Sequence, residues 1–223
     1  APTWSSVEYV SNKDVSRGGK WKMAHYFVKR AYADFMLSPV LNTRKSTVDI
    51  YAISDLGAPV SDTFVLNVFS YSSLTSLYSK QFRFSVGPHI SALAVSVSVD
   101  ELKAQTGCDF SATGDSCILV VDWISPTKKG ADARDENFLF FNTKLADVTN
   151  LKAPTIRVES VSPIGQNGLF SIVLSTDQVS LFTWLDFSQN KFVGIFSENG
   201  FHMTTKTRTV TYQADTPNVT VED

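Results

Sequence analysis

The sequence predicts a mainly β chain, in which one N-terminal helix precedes two tandem antiparallel β-sandwiches. Three observations carry this. Apolar residues recur at helical spacing in one place, between residues 19 and 35. From Thr47 onward, short segments alternate with period two and are bounded by Gly, Pro, Asn and Asp. A stretch of no strong period, NTKLADVTNLKA at 142–153, separates two runs of such segments. The expected division is 1–40 for loop and helix, 41–150 for the first sandwich and 151–223 for the second.

The helix is expected from Trp21, Ala24, Val28, Ala31, Tyr32 and Phe35, with Gly18-Gly19 before it and Pro39 after it. Met23, Tyr26 and Phe27 lie off that stripe, so the helix is apolar on more than one side. Such a helix must be buried between two partners. The β-rich remainder can supply one. Nothing else in the chain supplies the second, which points to a further portion of protein upstream.

The first strands expected are Thr47–Ser54, Asp62–Tyr71, Gln81–Val86 and Ala92–Val99, half-buried by their alternation. Asp100–Ala104 is at most a helical turn. Cys117–Ile124 (CILVVDWI) is continuously apolar and so a central strand, and Asn137–Phe141 is another. About six or seven strands in roughly a hundred residues is the count of a sandwich. The second run holds Thr155–Val161, Leu169–Ser175, Leu181–Phe187, Lys191–Phe196 and Thr205–Gln213, punctuated by Gly165, Asn167-Gly168, Asn190 and Asn199-Gly200. The tail from Ala214 is polar and expected to be loosely held.

Composition narrows the function. With 43% hydrophobic and 19% charged residues in 223, the chain has the make-up of a folded globular protein. A net charge of −2 provides no field with which to gather nucleic acid. No apolar run approaches the roughly 18–20 residues of a membrane span. No signal-peptide pattern opens the chain, so Ala1 reads as a processing site or an artificial boundary.

Cys108 and Cys117 flank the turn-prone DFSATGDS, a spacing that favours a disulfide over two buried thiols. Two cysteines are half a zinc site and the three histidines lie elsewhere in sequence, so no metal or cofactor is expected. Asn218-Val219-Thr220 is an N-glycosylation acceptor pattern. Trp123 and Trp184 sit in strands and read as core or interface residues. Trp4, between Pro2 and Ser5-Ser6, is the indole placed to meet a ligand. His25 lies between Lys22 and Lys29 on the helix and reads as a packed residue, while His89 and His202 sit beside turns without a telling nucleophile or acid. Glu8, Asp55, Glu101, Glu159, Asp186 and Glu198 show no spacing that marks an acid–base pair. No residue of this chain is expected to be catalytic.

Three segments together resemble the animal-type lysosomal β-mannosidases, retaining glycoside hydrolases of the β-galactosidase and β-glucuronidase clan. APTWSSVEY with GGKWKMAHYFVKRAYADF is similar to the end of their catalytic barrel. IYAISDL at 50–56 resembles the opening of the next domain. FTWLDF at 182–187, FSENGFHM at 196–203 and KTRTVTYQ at 206–213 resemble their C-terminal immunoglobulin-like domain. The cysteine-bearing loop also falls where those enzymes carry cysteines. VSNKDVSR at 10–17 departs from the family, lengthening one loop.

The resemblance implies that residues 1–40 are the edge of a truncated (β/α)8 barrel, with its last helix, and that both sandwiches are immunoglobulin-like. It implies a parent enzyme that removes terminal β-linked mannose from glycoprotein-derived oligosaccharides with two glutamates. Those glutamates lie upstream in the family and have no counterpart here. Trp4 would fall at the barrel rim near the sugar. The implied partners are the catalytic barrel, covalently joined or as a separate chain, and through it the oligosaccharide. No nucleic acid or membrane partner is implied, and the location would be lysosomal or secreted. The alternative is a free-standing glycan-binding or adhesion module of two sandwiches.

Overall fold

The computed structural model describes residues 7–8, 20–110, 117–124, 134–141, 148, 150–165, 167–187 and 194–215. The chain divides into two compact units. One is Ala33–Ala153, and the other joins the N-terminal residues up to Tyr32 with those from Pro154 onward.

The N-terminal elements are a short antiparallel ladder, β1 (Val7–Glu8) with β2 (Lys20–Trp21), and helix α1 (Met23–Ala31). No side chain caps α1 at its start, and a nine-residue helix is marginal by itself in water. Packing must therefore hold it. The helix stops earlier than its periodicity suggests: Phe35, expected on the helical stripe, begins a strand instead. The reason is a competing pattern. Phe35, Leu37 and Pro39 are buried at alternate positions, and the segment pairs residue for residue with the next strand. Period two wins over the last turn of period 3.6.

The unit 33–153 holds β3 (Phe35–Asn42), β4 (Thr47–Ser54), β5 (Val60–Ser70), β6 (Ser76–Val86), β7 (Ile90–Ser98), α2 (Val99–Thr106), β8 (Cys117–Ile124) and β9 (Arg134–Phe140). Two antiparallel sheets, β3-β4-β7 and β6-β5-β8-β9, enclose one core. Val48, Ile50 and Ala52 face Phe64, Leu66 and Val68 across it, all within 1% of complete burial. Pro39 is accommodated because β3 is a sheet edge. Asn137 Nδ2 of β9 donates to the Leu37 carbonyl of β3 at 3.0 Å, tying one sheet's edge to the other's. The run Cys117–Ile124 is central, as its unbroken apolarity suggests.

Residues 100–104 form more than a turn because α2 is capped at both ends. Ser98 Oγ accepts from the Glu101 amide, Asp100 and Glu101 occupy the first turn, and Gly107 closes the helix at φ 70°. Leu102 on its inner side is fully buried. Just beyond, Cys108 and Cys117 are bonded to each other and buried in the same core.

From Pro154 come β10 (Ile156–Pro163), β11 (Leu169–Thr176), β12 (Ser180–Thr183), β13 (Gly194–Phe196), β14 (Phe201–Met203) and β15 (Thr207–Ala214). They form the sheets β10-β11-β15-β13 and β12-β14. Alternation on β11 and β15 supplies the core: Phe170, Ile172 and Leu174 against Val210 and Tyr212. The strand expected over 181–187 is short, ending at Thr183, and β14 arises where the sequence suggested only turn punctuation.

One charge-capable group lies deep in this unit. His202 is 1% exposed, and burial, followed by the Arg30 and Arg208 charges, holds its pKa down at about 3. The unfolded imidazole takes up a proton near pH 6.5. Between those values the unfolded state binds the extra proton, so stability falls as pH drops from 6.5 toward 3. Chemical denaturation of this unit is expected to weaken by a slope approaching ~1.4 kcal/mol per pH unit below pH 6, and His202→Asn to flatten it. In the other unit, the bond between Cys108 and Cys117 closes a loop of sequence separation 9. The Cys108→Ala/Cys117→Ala pair is expected to lower its unfolding free energy by about 2–3 kcal/mol.

Candidate functional site

The place where the sequence's most distinctive segments meet is the seat of helix α1. Met23, Tyr26 and Phe27, the residues off the anticipated stripe, turn toward the C-terminal sandwich. Tyr26 is 4% exposed and belongs to the same core cluster as Phe170, Leu174, Phe201 and Tyr212, with Trp21 packed against it. Its ring meets Trp184 edge-on at 5.9 Å and Trp21 at 5.4 Å. Its hydroxyl engages the Phe196 backbone and the Asn199 side chain, while burial raises its pKa.

Asn199 shapes the receiving surface. It is 1% exposed; its Oδ1 accepts from the Leu185 amide at 2.7 Å and its Nδ2 donates to the Leu185 carbonyl at 2.8 Å. The carboxamide thus behaves as one rung of a β-ladder and fixes Trp184–Asp186 beside the helix. Gly200 follows at φ 68°, and a Cβ there would lie 2.5 Å from Met23 Cγ and 3.4 Å from Phe27. Glycine is required twice over, by backbone and by space.

An ion pair stiffens the seat from below. Arg208 donates through Nε and Nη2 to the two Glu198 oxygens at 2.8 and 2.6 Å, and through Nη1 to the His202 carbonyl at 3.0 Å. Its guanidinium also lies 4.8 Å from the Phe201 ring centre. With Arg208's side chain 6% exposed, the fork-like pairing and the carbonyl satisfy a charge that would be costly to bury alone. Lys29 Nζ reaches the Ser197 carbonyl at 3.3 Å from the helix.

Only the middle of the anticipated stripe faces outward on the opposite side of α1, while Trp21 packs on Tyr26 and Phe35 lies in β3. Ala24 and Ala31 are exposed, Val28 is 45% exposed and Tyr32 is 84% exposed. That is an apolar ridge at spacing i, i+4, i+7, i+8 on a helix whose other side is occupied.

The other sequence-derived candidates are dispersed. Trp4 and Asn218 lie outside the described residues. Cys108 and Cys117 are paired. Trp123 is 5% exposed and donates from Nε1 to Asp62 at 3.0 Å, so its face is not free to stack on a ligand. Trp184 is 36% exposed. The His25 ring packs on Trp21 at 4.0 Å. Glu101 lies in the first turn of α2, 3.7 Å from Lys80, Glu159 accepts from Ser175, and Glu198 holds Arg208. Among the described residues no group of three or more His, Cys, Asp or Glu could hold a metal ion, and no helix is long and apolar enough to cross a membrane.

Sequence reasoning missed Asn199, Gly200 and Arg208 as builders of this seat. Asn-Gly reads as a turn wherever it occurs, and nothing in the dipeptide announces that the turn faces a helix. It also placed Met23, Tyr26 and Phe27 off the main stripe, although the described packing is made by them.

The relatives of the chain converge on one group. Residues 151–223 match the mannosidase immunoglobulin-type family, described as an Ig-fold domain. The β-mannosidase of Capra hircus is 34% identical over 212 residues, covering 94% of this chain and 22% of that protein. The Mus musculus β-mannosidase is 31% identical over 95% of this chain and again 22% of its own length. Among solved structures, the β-D-mannosidase of Dictyoglomus thermophilum superposes with a TM-score of 0.67 at 15% identity, over 89% of this chain and 22% of that one. The exo-chitosanase CsxA of Amycolatopsis orientalis gives 0.56 at 15% identity, over 87% and 26%. The chain spans about a fifth of the length of the β-mannosidases it is similar to, and its residues 151–223 match the mannosidase Ig-fold domain.

Proposed function

We propose that this chain is the C-terminal accessory region of a retaining β-mannosidase that removes terminal β-linked mannose from glycoprotein-derived oligosaccharides. In this reading α1 is the last outer helix of a (β/α)8 barrel and both sandwiches are immunoglobulin-like braces. The barrel edge then ends before Ala33, where the first brace begins, and the second brace runs from Pro154. The two catalytic glutamates belong to the portion of the enzyme outside this sequence.

One observation carries the proposal. Helix α1 commits Met23, Tyr26 and Phe27 to its own sandwich and still presents Ala24, Val28, Ala31 and Tyr32 outward. A short helix with a second apolar ridge is built to lie between two bodies. The occupant of that ridge is the catalytic barrel, covalently joined or as a separate chain, since four-fifths of a β-mannosidase lies outside the matched region. Trp4 would stand at the barrel rim near the sugar. A secretory or lysosomal location fits the Cys108–Cys117 bond and the Asn218 acceptor pattern.

The second reading, a glycan-binding module, rests on Trp184, a residue that remains 36% exposed. It predicts fluorescence changes on adding mannosides that vanish in Trp184→Ala.

The purified chain is expected to leave a chromogenic β-mannoside intact; turnover by this chain alone would sink the accessory reading. Co-expressed with the upstream portion of a β-mannosidase, it is expected to co-purify with it. Val28→Asp combined with Tyr32→Asp should weaken that association by about tenfold or more, each charge facing an apolar partner without compensation. The circular dichroism of the chain itself should not change.

A further inference from the structure

A strained residue underlies the seat of α1. Phe182 has φ 55°, in the left-handed region that bulky residues rarely adopt. Such a conformation persists only where its surroundings over-determine it. Here β12 and β14 pair at Ser180↔Met203 and at Thr183↔Phe201, with an irregularity between, so regular pairing is interrupted at Phe182. The imidazole of His202, the middle residue of β14, replaces the missing rung: Nδ1 accepts the Phe182 N–H at 3.1 Å. The two rings then meet edge to face at 4.7 Å and 78°. Held this way, the Phe182 ring faces Phe27 of α1 at 6.1 Å, and Phe27 in turn lies 4.9 Å beneath the Arg30 guanidinium.

We propose that His202 is a positioning residue: by accepting the Phe182 amide it keeps Phe182 in the left-handed conformation that presents its ring to Phe27, and so sets how tightly helix α1 is held on this domain. The surface is a receptor for one amphipathic helix, and its shape depends on a side chain that does not belong to the regular ladder. The inference rests on the observed docking of α1 and not on which body covers the helix's other side.

Hydrogen exchange on the full chain separates this role from ordinary core packing. His202→Leu removes the acceptor while keeping an apolar occupant. It should accelerate the amides of Phe27–Ala31 by about tenfold or more, the cost of stranding a partly buried N–H. Leu174 and Val210, in the neighbouring sheet, should change by less than about threefold, the signature of a local opening. His202→Asn, whose Oδ1 can stand where Nδ1 stands, should restore slow exchange in α1. Phe182→Gly tests the same idea without touching His202: it relieves the backbone but removes the ring, so α1 should open while Leu174 and Val210 stay protected. The proposal is overturned if α1 exchange is unchanged in His202→Leu or Phe182→Gly, or if α1, Leu174 and Val210 accelerate together. Should His202→Leu fail to fold, Phe182→Gly decides alone by the same criterion.

Discussion

The insertion of Tyr26 into the core of the C-terminal sandwich is the contact on which the unit's organisation depends. Lys29 of the helix and Ser197 of the sandwich, 168 residues apart in sequence, are hydrogen-bonded neighbours. A nine-residue helix without a side-chain cap has little stability of its own, so burial of Tyr26 and half-burial of Met23 and Phe27 decide that it exists. The sandwich depends on the helix in return, because Tyr26 completes a cluster that small sheets cover only in part. Gly200, Asn199 and Trp184 make sense only with the helix in place. The rest of the seat, down to the Arg208–Glu198 pair, supports that contact.

Much of the fold was legible because alternation is a strong signal where one face is buried. Thr47–Ser54 and Cys117–Ile124 were read to the residue, and their sheet positions follow from their apolar patterns. Where the reading slipped, two periods competed or a cap was overlooked. Phe35 fits a helical stripe and a strand alike, and only pairing with Ser54 decides between them. Helix α2 hides in a polar segment whose order comes from Ser98 and Gly107 at its ends. Strand β14 is three residues long, too short for any period to show.

The docking site was legible only in outline. That α1 is apolar on more than one side could be read from its circumference; which of those residues pack on the C-terminal sheets could not, since both sides carry comparable side chains. Asn199 acts through a carboxamide that imitates backbone, and Phe182 acts through a left-handed φ that leaves no trace in an aromatic residue's identity. Such features depend on the far end of the chain, beyond the reach of local pattern. His202 illustrates the point: beside a turn in sequence it shows no telling partner, whereas the structure buries it among Arg30, Arg208 and Phe182.

The separation of α1 from its receptor also has a meaning in time. During synthesis the helix sequence emerges first, whereas its seat is complete only once β15 has been made. At about 5–20 residues per second, that interval is on the order of ten to thirty seconds. Throughout it, Met23, Tyr26 and Phe27 are part of a nascent apolar segment with no C-terminal sandwich to enter. The segment between Tyr32 and Pro154 can fold as a unit of its own in the meantime. Helix α1 is therefore among the first parts of this sequence to be made and among the last to be folded, and until then Met23, Tyr26 and Phe27 lack the core that later buries them.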